Sequence, residues 1–217
     1  MSTARVLIVY YTYTKQTRLV AEAMADVFRD QGCEVRQAAI ELTDRRYADR
    51  FGSFPLPFRK LIGMLPAQAR HGVGEIRVPA EVNEGDYDVI CIGSPTWWFT
   101  ACLPIRSFLM SPEAGPVLSG KRFTVFVVCR RYWRGSTRTV RKLGTRQGGS
   151  YVDGVHFKFA GGQVRSLIAL VSYLRTGRMR ARILGVKIPP TNLQPEHIAA
   201  ARLFARGLTD DLARLNA

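Results

Sequence analysis

Short apolar runs, each followed by a stretch with helical spacing, constrain this chain more than any other feature. Val6–Tyr10, Glu34–Leu42, Val89–Gly93, Phe123–Cys129 and Tyr151–Phe159 read as strands. The best of them, "VLIVY", "VICIG" and "FTVFVVC", are apolar at nearly every position rather than at alternate ones. A strand apolar on both sides needs cover on both faces, which belongs to parallel sheets wrapped by helices. The segments between supply those helices: Thr17–Gln31 closed by Gly32, Pro104–Met110, Gly135–Gly148, and Gln194–Leu215 with Pro195 in its first turn and Thr191 or Asn192 near its cap. The expected fold is a three-layer α/β domain around a doubly wound, five-stranded parallel sheet.

With 217 residues, no linker-like composition and no internal repeat, residues 1–217 read as one domain. Two segments interrupt the alternation and read as insertions. Residues 51–72 are aromatic, proline-rich and basic, and residues 161–190 join an apolar helical pattern to a run of arginines. In the second, Val164, Leu167, Ile168, Val171 and Leu174 define an apolar face, with Arg165, Ser172 and Thr176 on the other.

Ligands of doubly wound sheets bind beyond the carboxyl ends of the strands, so the strand exits carry the functional information. The first exit is "TYTKQT", Thr12 to Thr17, which feeds a helix directly. It gathers the hydroxyls of Thr12, Thr14 and Thr17 with Tyr13, Lys15, Gln16 and unpaired backbone N–H groups at a helix N-terminus, which suits a phosphate. Thr14 or Thr17 could instead simply cap the helix. This exit has neither the GxGxxG nor the GxxxxGK pattern, which disfavours dinucleotide and nucleoside-triphosphate binding there. The second exit, "SPTWWFTACLP", sets Trp97, Trp98 and Phe99 in succession after Pro95 and Thr96. Adjacent residues cannot all face inward, so at least one indole should line the crevice at the sheet edge, where an exposed tryptophan suits stacking on a flat ring. The third exit begins at Cys129 and offers Arg130, Arg131, Tyr132, Trp133 and Arg134.

A phosphate cradle followed by two aromatic loops resembles the flavodoxin-like superfamily over nearly the whole chain. The family's [ST]-x-T-G-x-[ST] loop matches at Thr12, Thr14 and Thr17. Position 15 departs from it, since the family usually has Gly there and this chain has Lys15, whose charge can meet the phosphate. "GSPTWWFTACLP" looks like the isoalloxazine loop of the NAD(P)H:quinone-reductase branch. The resemblance implies FMN as cofactor, NAD(P)H as a candidate electron donor, backbone contacts to the flavin edge around Pro95, Thr96 and Trp97, and pairing of two copies through surface helices. The insertion at 161–190 is similar in place and composition to that of menaquinone-dependent protoporphyrinogen dehydrogenases.

The net charge of +15 is regional. Residues 120–190 hold 16 Lys or Arg and a single acid, Asp153, while the rest of the chain sums to zero. Small flavodoxin carriers are typically acidic. Arginines near a flavin should stabilise negative charge on the reduced ring and raise its potential, which favours accepting two electrons from a substrate. The expected activity is FMN-dependent two-electron or hydride transfer on a quinone or a lipophilic acidic substrate. Tyr132 is the candidate for proton transfer, although a phenol is a poor acid at neutral pH. A protoporphyrinogen dehydrogenase-like enzyme, and a flavodoxin-type carrier or flavin-sensing module without turnover, remain open.

The arginine-rich 161–190 segment suits an anionic membrane surface or a lid over the substrate. Nucleic acid is a poor fit, because the arginines are interleaved with an apolar helix and no recognition motif accompanies them. Cys33, Cys91, Cys102 and Cys129 lack CxxC spacing, and His71, His156 and His197 are scattered, so no metal site is expected. With no signal-peptide pattern, the expected address is cytoplasmic, with a peripheral foothold on the inner face of the membrane through the basic segment.

Overall fold

The computed structural model describes residues 3–47, 54–56, 60, 68 and 70–215. In chain order these form β1 (Arg5–Tyr10), α1 (Gln16–Asp30), β2 (Glu34–Ala39), β3 (Glu41–Leu42), β4 (Ile76–Arg77), β5 (Val89–Trp97), β6 (Thr100–Ala101), α2 (Leu103–Leu109), α3 (Ala114–Leu118), β7 (Arg122–Cys129), α4 (Trp133–Arg146), β8 (Ser150–Lys158), α5 (Gln163–Thr176), β9 (Arg182–Ile183), β10 (Val186–Lys187) and α6 (Pro195–Leu215). The parallel sheet runs β2-β1-β5-β7-β8, and β6 folds back on β5 as an antiparallel addition. The order reverses between β1 and β5, which places the crevice of a doubly wound sheet at their carboxyl ends.

Side-chain alternation along the strands explains the three layers. Val6, Ile8, Cys91, Phe126, Val128 and Phe157 face α1 and α6, whereas Leu7, Val9, Ile90, Ile92, Val125 and Val127 face α2, α3 and α4. Both sets are buried, so the continuous apolar runs are what a sheet covered on both sides requires. Gly93 lies between Tyr10 and Phe126 in the ladder. A Cβ there would sit 2.2 Å from the Phe126 ring, so the absent side chain is the space that ring occupies. The outer strands are β2 and β8, and on β8 two residues, Val152 and Asp153, stand opposite Thr124 in a bulge.

Three sequence expectations need correction. The second strand was expected to run from Glu34 to Leu42, but it leaves the sheet at Ile40, and Glu41–Leu42 pairs antiparallel with Ile76–Arg77. The pull comes from Asp44, whose buried carboxylate accepts bonds from the Arg46 guanidinium at 2.6 Å, the Arg46 N–H at 3.0 Å and the Glu75 N–H at 3.2 Å. Next, α6 is not capped by Thr191 or Asn192: the Gln194 N–H donates to Nδ1 of His197, three residues on, at 2.9 Å. This is the back-reaching half of a capping box, made with an imidazole. Lastly, the segment at 161–190 comprises α5 and the β9–β10 hairpin, and its expected apolar face is divided: Leu174 is buried while Val164, Leu167 and Ile168 are exposed. Of the expected insertion at 51–72, residues 51–53, 57–59, 61–67 and 69 lie outside the described residues.

The Asp44 cluster gives a pH dependence with a definite sign. Hydrogen bonding to Arg46 holds the carboxyl at about 2, below its unfolded value, so its stabilisation is complete above roughly pH 5 and is lost as pH falls toward 2. Asp44→Asn should cost about 1–2 kcal/mol at pH 7 and progressively less on acidification. Urea midpoints at pH 7 and pH 3 measure this, and an equal loss at both would mean that the carboxylate charge contributes nothing.

Candidate functional site

Each strand exit at the crevice contains one non-glycine residue in the left-handed region: Lys15 (φ 62) after β1, Trp98 (φ 61) after β5 and Tyr132 (φ 63) after β7. This conformation costs an L-residue about 1–2 kcal/mol, and such residues concentrate where a site dictates the backbone. Lys15 therefore adopts the turn that glycine provides in the matching motif.

At the first exit, Lys15 is the N-cap of α1 and no side chain caps the helix. The capping alternative for Thr14 and Thr17 is thus excluded, and the first-turn N–H groups open onto the loop. Thr12 Oγ1 is buried without a hydrogen-bond partner. Thr17 is 2% exposed on the first turn of the helix. Gln16 is committed elsewhere, its Oε1 accepting from the Leu193 N–H at 2.8 Å and its Nε2 donating to the Thr14 carbonyl at 3.4 Å. Its side chain shapes the loop and ties it to the start of α6.

At the second exit, Pro95, Thr96 and Trp97 continue β5 as strand, the chain turns at Trp98–Phe99, and β6 returns with Thr96 opposite Ala101. Trp97 sets its ring edge-on to Tyr11 at 5.5 Å and is partly buried against the core. Phe99 is the projecting aromatic, 62% exposed, in edge contact at 4.7 Å with Tyr132, itself 40% exposed. The hairpin lies on α4 through two hydroxyl pairs, Thr96 with Ser136 at 2.8 Å and Thr100 with Thr139 at 2.7 Å. Gly135 permits this contact, since a Cβ there would come within 1.9 Å of the Phe99 carbonyl oxygen. Nε2 of Gln68 donates to the carbonyls of Trp97 at 3.0 Å and Ala101 at 2.8 Å.

At the third exit Trp133 is partly buried against the core. Its ring is stacked on His156 at 3.9 Å and 8°, and the Arg134 guanidinium lies 5.2 Å from its centroid. One face of the indole is therefore covered, while Phe99 and Tyr132 are exposed. Burial, with help from Lys158 and Arg134, keeps the His156 imidazole below its ordinary pKa. Cys129 is buried, and desolvation pushes its thiol up to about 12, so it is a neutral wall residue at physiological pH. Arg130 donates to Ser166 on α5 at 3.1 Å, and Arg131 is exposed.

Described residues of both segments expected as insertions contact the first strand exit or each other. Phe54 packs against Tyr13 at 5.8 Å and against Tyr173 of α5 at 5.3 Å, and the Leu56 N–H donates to the Leu174 carbonyl at 2.6 Å. Tyr13 thus shares an aromatic row with both segments. Gln68, Gly135, Ser136, Thr139 and Ser166 were not singled out by the sequence reading. The only available hint was the "GST" that follows the third exit.

No protein-family model matches the chain, and no curated protein matches it. Solved structures do. The flavodoxin, WrbA-like protein from Agrobacterium tumefaciens is 14% identical with a TM-score of 0.53, over 99% of this chain and 100% of that one. The flavodoxin of Streptococcus pneumonia TIGR4 is 14% identical with a TM-score of 0.51, over 96% of this chain and 99% of that one. The apo-form flavoprotein from Lactobacillus acidophilus NCFM is 16% identical with a TM-score of 0.50, over 72% of this chain and 93% of that one. The chain has the flavodoxin-like α/β fold.

Proposed function

We propose that this protein binds FMN at the three strand exits and works as an oxidoreductase on a quinone or a lipophilic acidic substrate, with NAD(P)H as electron donor. The observation that carries the reading is the buried, unpartnered hydroxyl of Thr12 beside the uncapped start of α1. An unpaired buried hydroxyl costs about 1–3 kcal/mol unless something arrives to satisfy it, and the phosphate of a mononucleotide is an acceptor of the right kind. Thr12, Thr14, Thr17 and the first-turn N–H groups would hold that phosphate, with Lys15 adding charge. Phe99, Tyr132, Trp98 and the Pro95–Trp97 backbone would border the ring. FMN, when bound, supplies the redox chemistry. The chain's part is to orient the ring, to exclude water with the hairpin and with residues 54–56, and to keep positive charge nearby through Arg131 and Arg134. Tyr132 stands at the crevice edge, where its hydroxyl could pass a proton to substrate.

Fluorescence titration of FMN against apoprotein should give Kd at or below about 1 μM, some 8 kcal/mol of binding. Thr12→Val is the sharper variant, because it should raise apoprotein stability by about 1 kcal/mol while weakening FMN at least tenfold. A hydroxyl with no ligand role would give the first effect without the second. Oxidation of NADH or NADPH with menadione as acceptor tests the enzymatic part; tight FMN binding without turnover would make the protein an electron carrier.

A further inference from the structure

The surface of α5 and the β9–β10 hairpin has a composition unlike the rest of the molecule. Leu184 is 98% exposed at the tip of the hairpin, where it and Gly185 are both at positive φ, as a two-residue type I′ turn requires. A leucine held by design of the backbone at the outermost point of a turn contributes nothing to the core. Along α5, Val164 is 70% exposed, and Leu167 and Ile168 are exposed beside it. The hairpin lies against the adjoining row of the helix, since Ala169 and Ser172 share a narrow cleft with Ile183 and Pro189. The helix stripe and the hairpin tip are therefore neighbours.

Around them stand Arg175, Arg178, Arg180, Arg182 and Lys187, all exposed, together with the exposed Met179 and Val186. Between Gly154 and Pro195 the sequence contains no Asp or Glu. An exposed apolar stripe rimmed by five cations without a counter-charge matches one surface in particular: an anionic lipid bilayer, with apolar side chains entering the acyl boundary and cations at headgroup level. A second copy of the chain is a poor occupant, because it would bring two uncompensated arginine clusters together. Among the described residues no helix is long and apolar enough to cross a membrane, so the contact would be peripheral.

We propose that α5 and the β9–β10 hairpin form a docking face for anionic membrane, with Leu184 inserted and the arginines of 175–182 and Lys187 on the headgroups. The opposite side of α5 meets the strand exits through Arg130–Ser166 and through Tyr173, Phe54 and Tyr13. Docking by this face therefore holds the crevice at the bilayer surface. The proposal stands on these exposed residues alone and holds whether or not a flavin is bound.

The test is co-sedimentation with vesicles of phosphatidylcholine, alone or mixed equally with phosphatidylglycerol, using wild-type protein and three variants. Binding is expected to the mixed vesicles only. Leu184→Asp should weaken it about tenfold, and the triple variant Arg180→Gln, Arg182→Gln, Lys187→Gln roughly 100-fold. Arg138→Gln, Lys142→Gln, Arg146→Gln on the outer face of α4 removes the same net charge and should change it less than threefold. All these positions are exposed, and thermal melts confirm that each variant is folded. The proposal is overturned if mixed vesicles do not bind. It is equally overturned if the two triple variants lose the same affinity while Leu184→Asp loses none, the pattern of attraction by net charge. Concentration-dependent self-association that Leu184→Asp abolishes, without lipid binding, would instead assign the face to a second copy and also overturn it.

Discussion

Gly135→Ala should lower FMN affinity about 100-fold while leaving the sheet intact. The new Cβ would lie 1.9 Å from the Phe99 carbonyl oxygen and 3.1 Å from its carbon, so the obstacle is backbone rather than a side chain that can swing away. The helix cannot yield easily, because Val140 is wholly buried and Gly144 rests against Phe123. The hairpin must lift instead, separating Thr96 from Ser136 and Thr100 from Thr139. Overpacking of this kind costs about 1–3 kcal/mol, and two broken hydroxyl pairs add to it. The checks are a urea melt and the FMN titration on the same protein. A variant with wild-type affinity would move the flavin away from the β5–β6 hairpin.

Gly93→Ala should be the most destabilising single change, costing about 3 kcal/mol or more. Three atoms of the Phe126 ring lie within 3 Å of the position a Cβ would take, and Phe126 is wholly buried in the core layer shared with α1 and α6. The conflict is with one side chain, so it can be relieved at that side chain. Phe126→Leu alone should cost about 1–2 kcal/mol, yet the double variant should be more stable than Gly93→Ala alone. Urea midpoints of the four proteins measure the coupling. Additive losses would show that the alanine is accommodated by strand movement and not by the ring.

These two glycines mark where sequence reading reached its limit. The layers were legible because Val6–Tyr10, Val89–Gly93 and Phe123–Cys129 are apolar on both faces, which leaves a parallel sheet covered twice as the natural solution. The strand exits followed from topology, and the threonine loop was legible because hydroxyls at a helix start have few other uses. The role of Gly135 was not, since a close approach to Phe99, 36 positions away in the chain, leaves no local pattern. The β5–β6 turn was hidden for a related reason: Trp98 takes a positive φ without the Gly or Asn that normally signals a hairpin. The stacking of Trp133 on His156 was not legible either, because it depends on which strand lies next to β7, and neither residue's neighbours announce that pairing. The break at Ile40 depended on Asp44 reaching Glu75, a contact between segments with no periodicity of their own.

The outer strand β8 has a consequence for how the protein behaves at high concentration. Among the described residues no strand pairs with the outer side of β8, so its nine residues are a template on which another chain could extend the sheet. Growth there would require a partner strand to follow the bulge at Val152 and Asp153 and to lie alongside Lys158, a charged and exposed position. An irregular, charged border propagates poorly, because each added strand must reproduce the irregularity to keep its ladder in register. The sheet is thereby finished at five parallel strands, and fibrillar extension from that border is resisted by its own geometry.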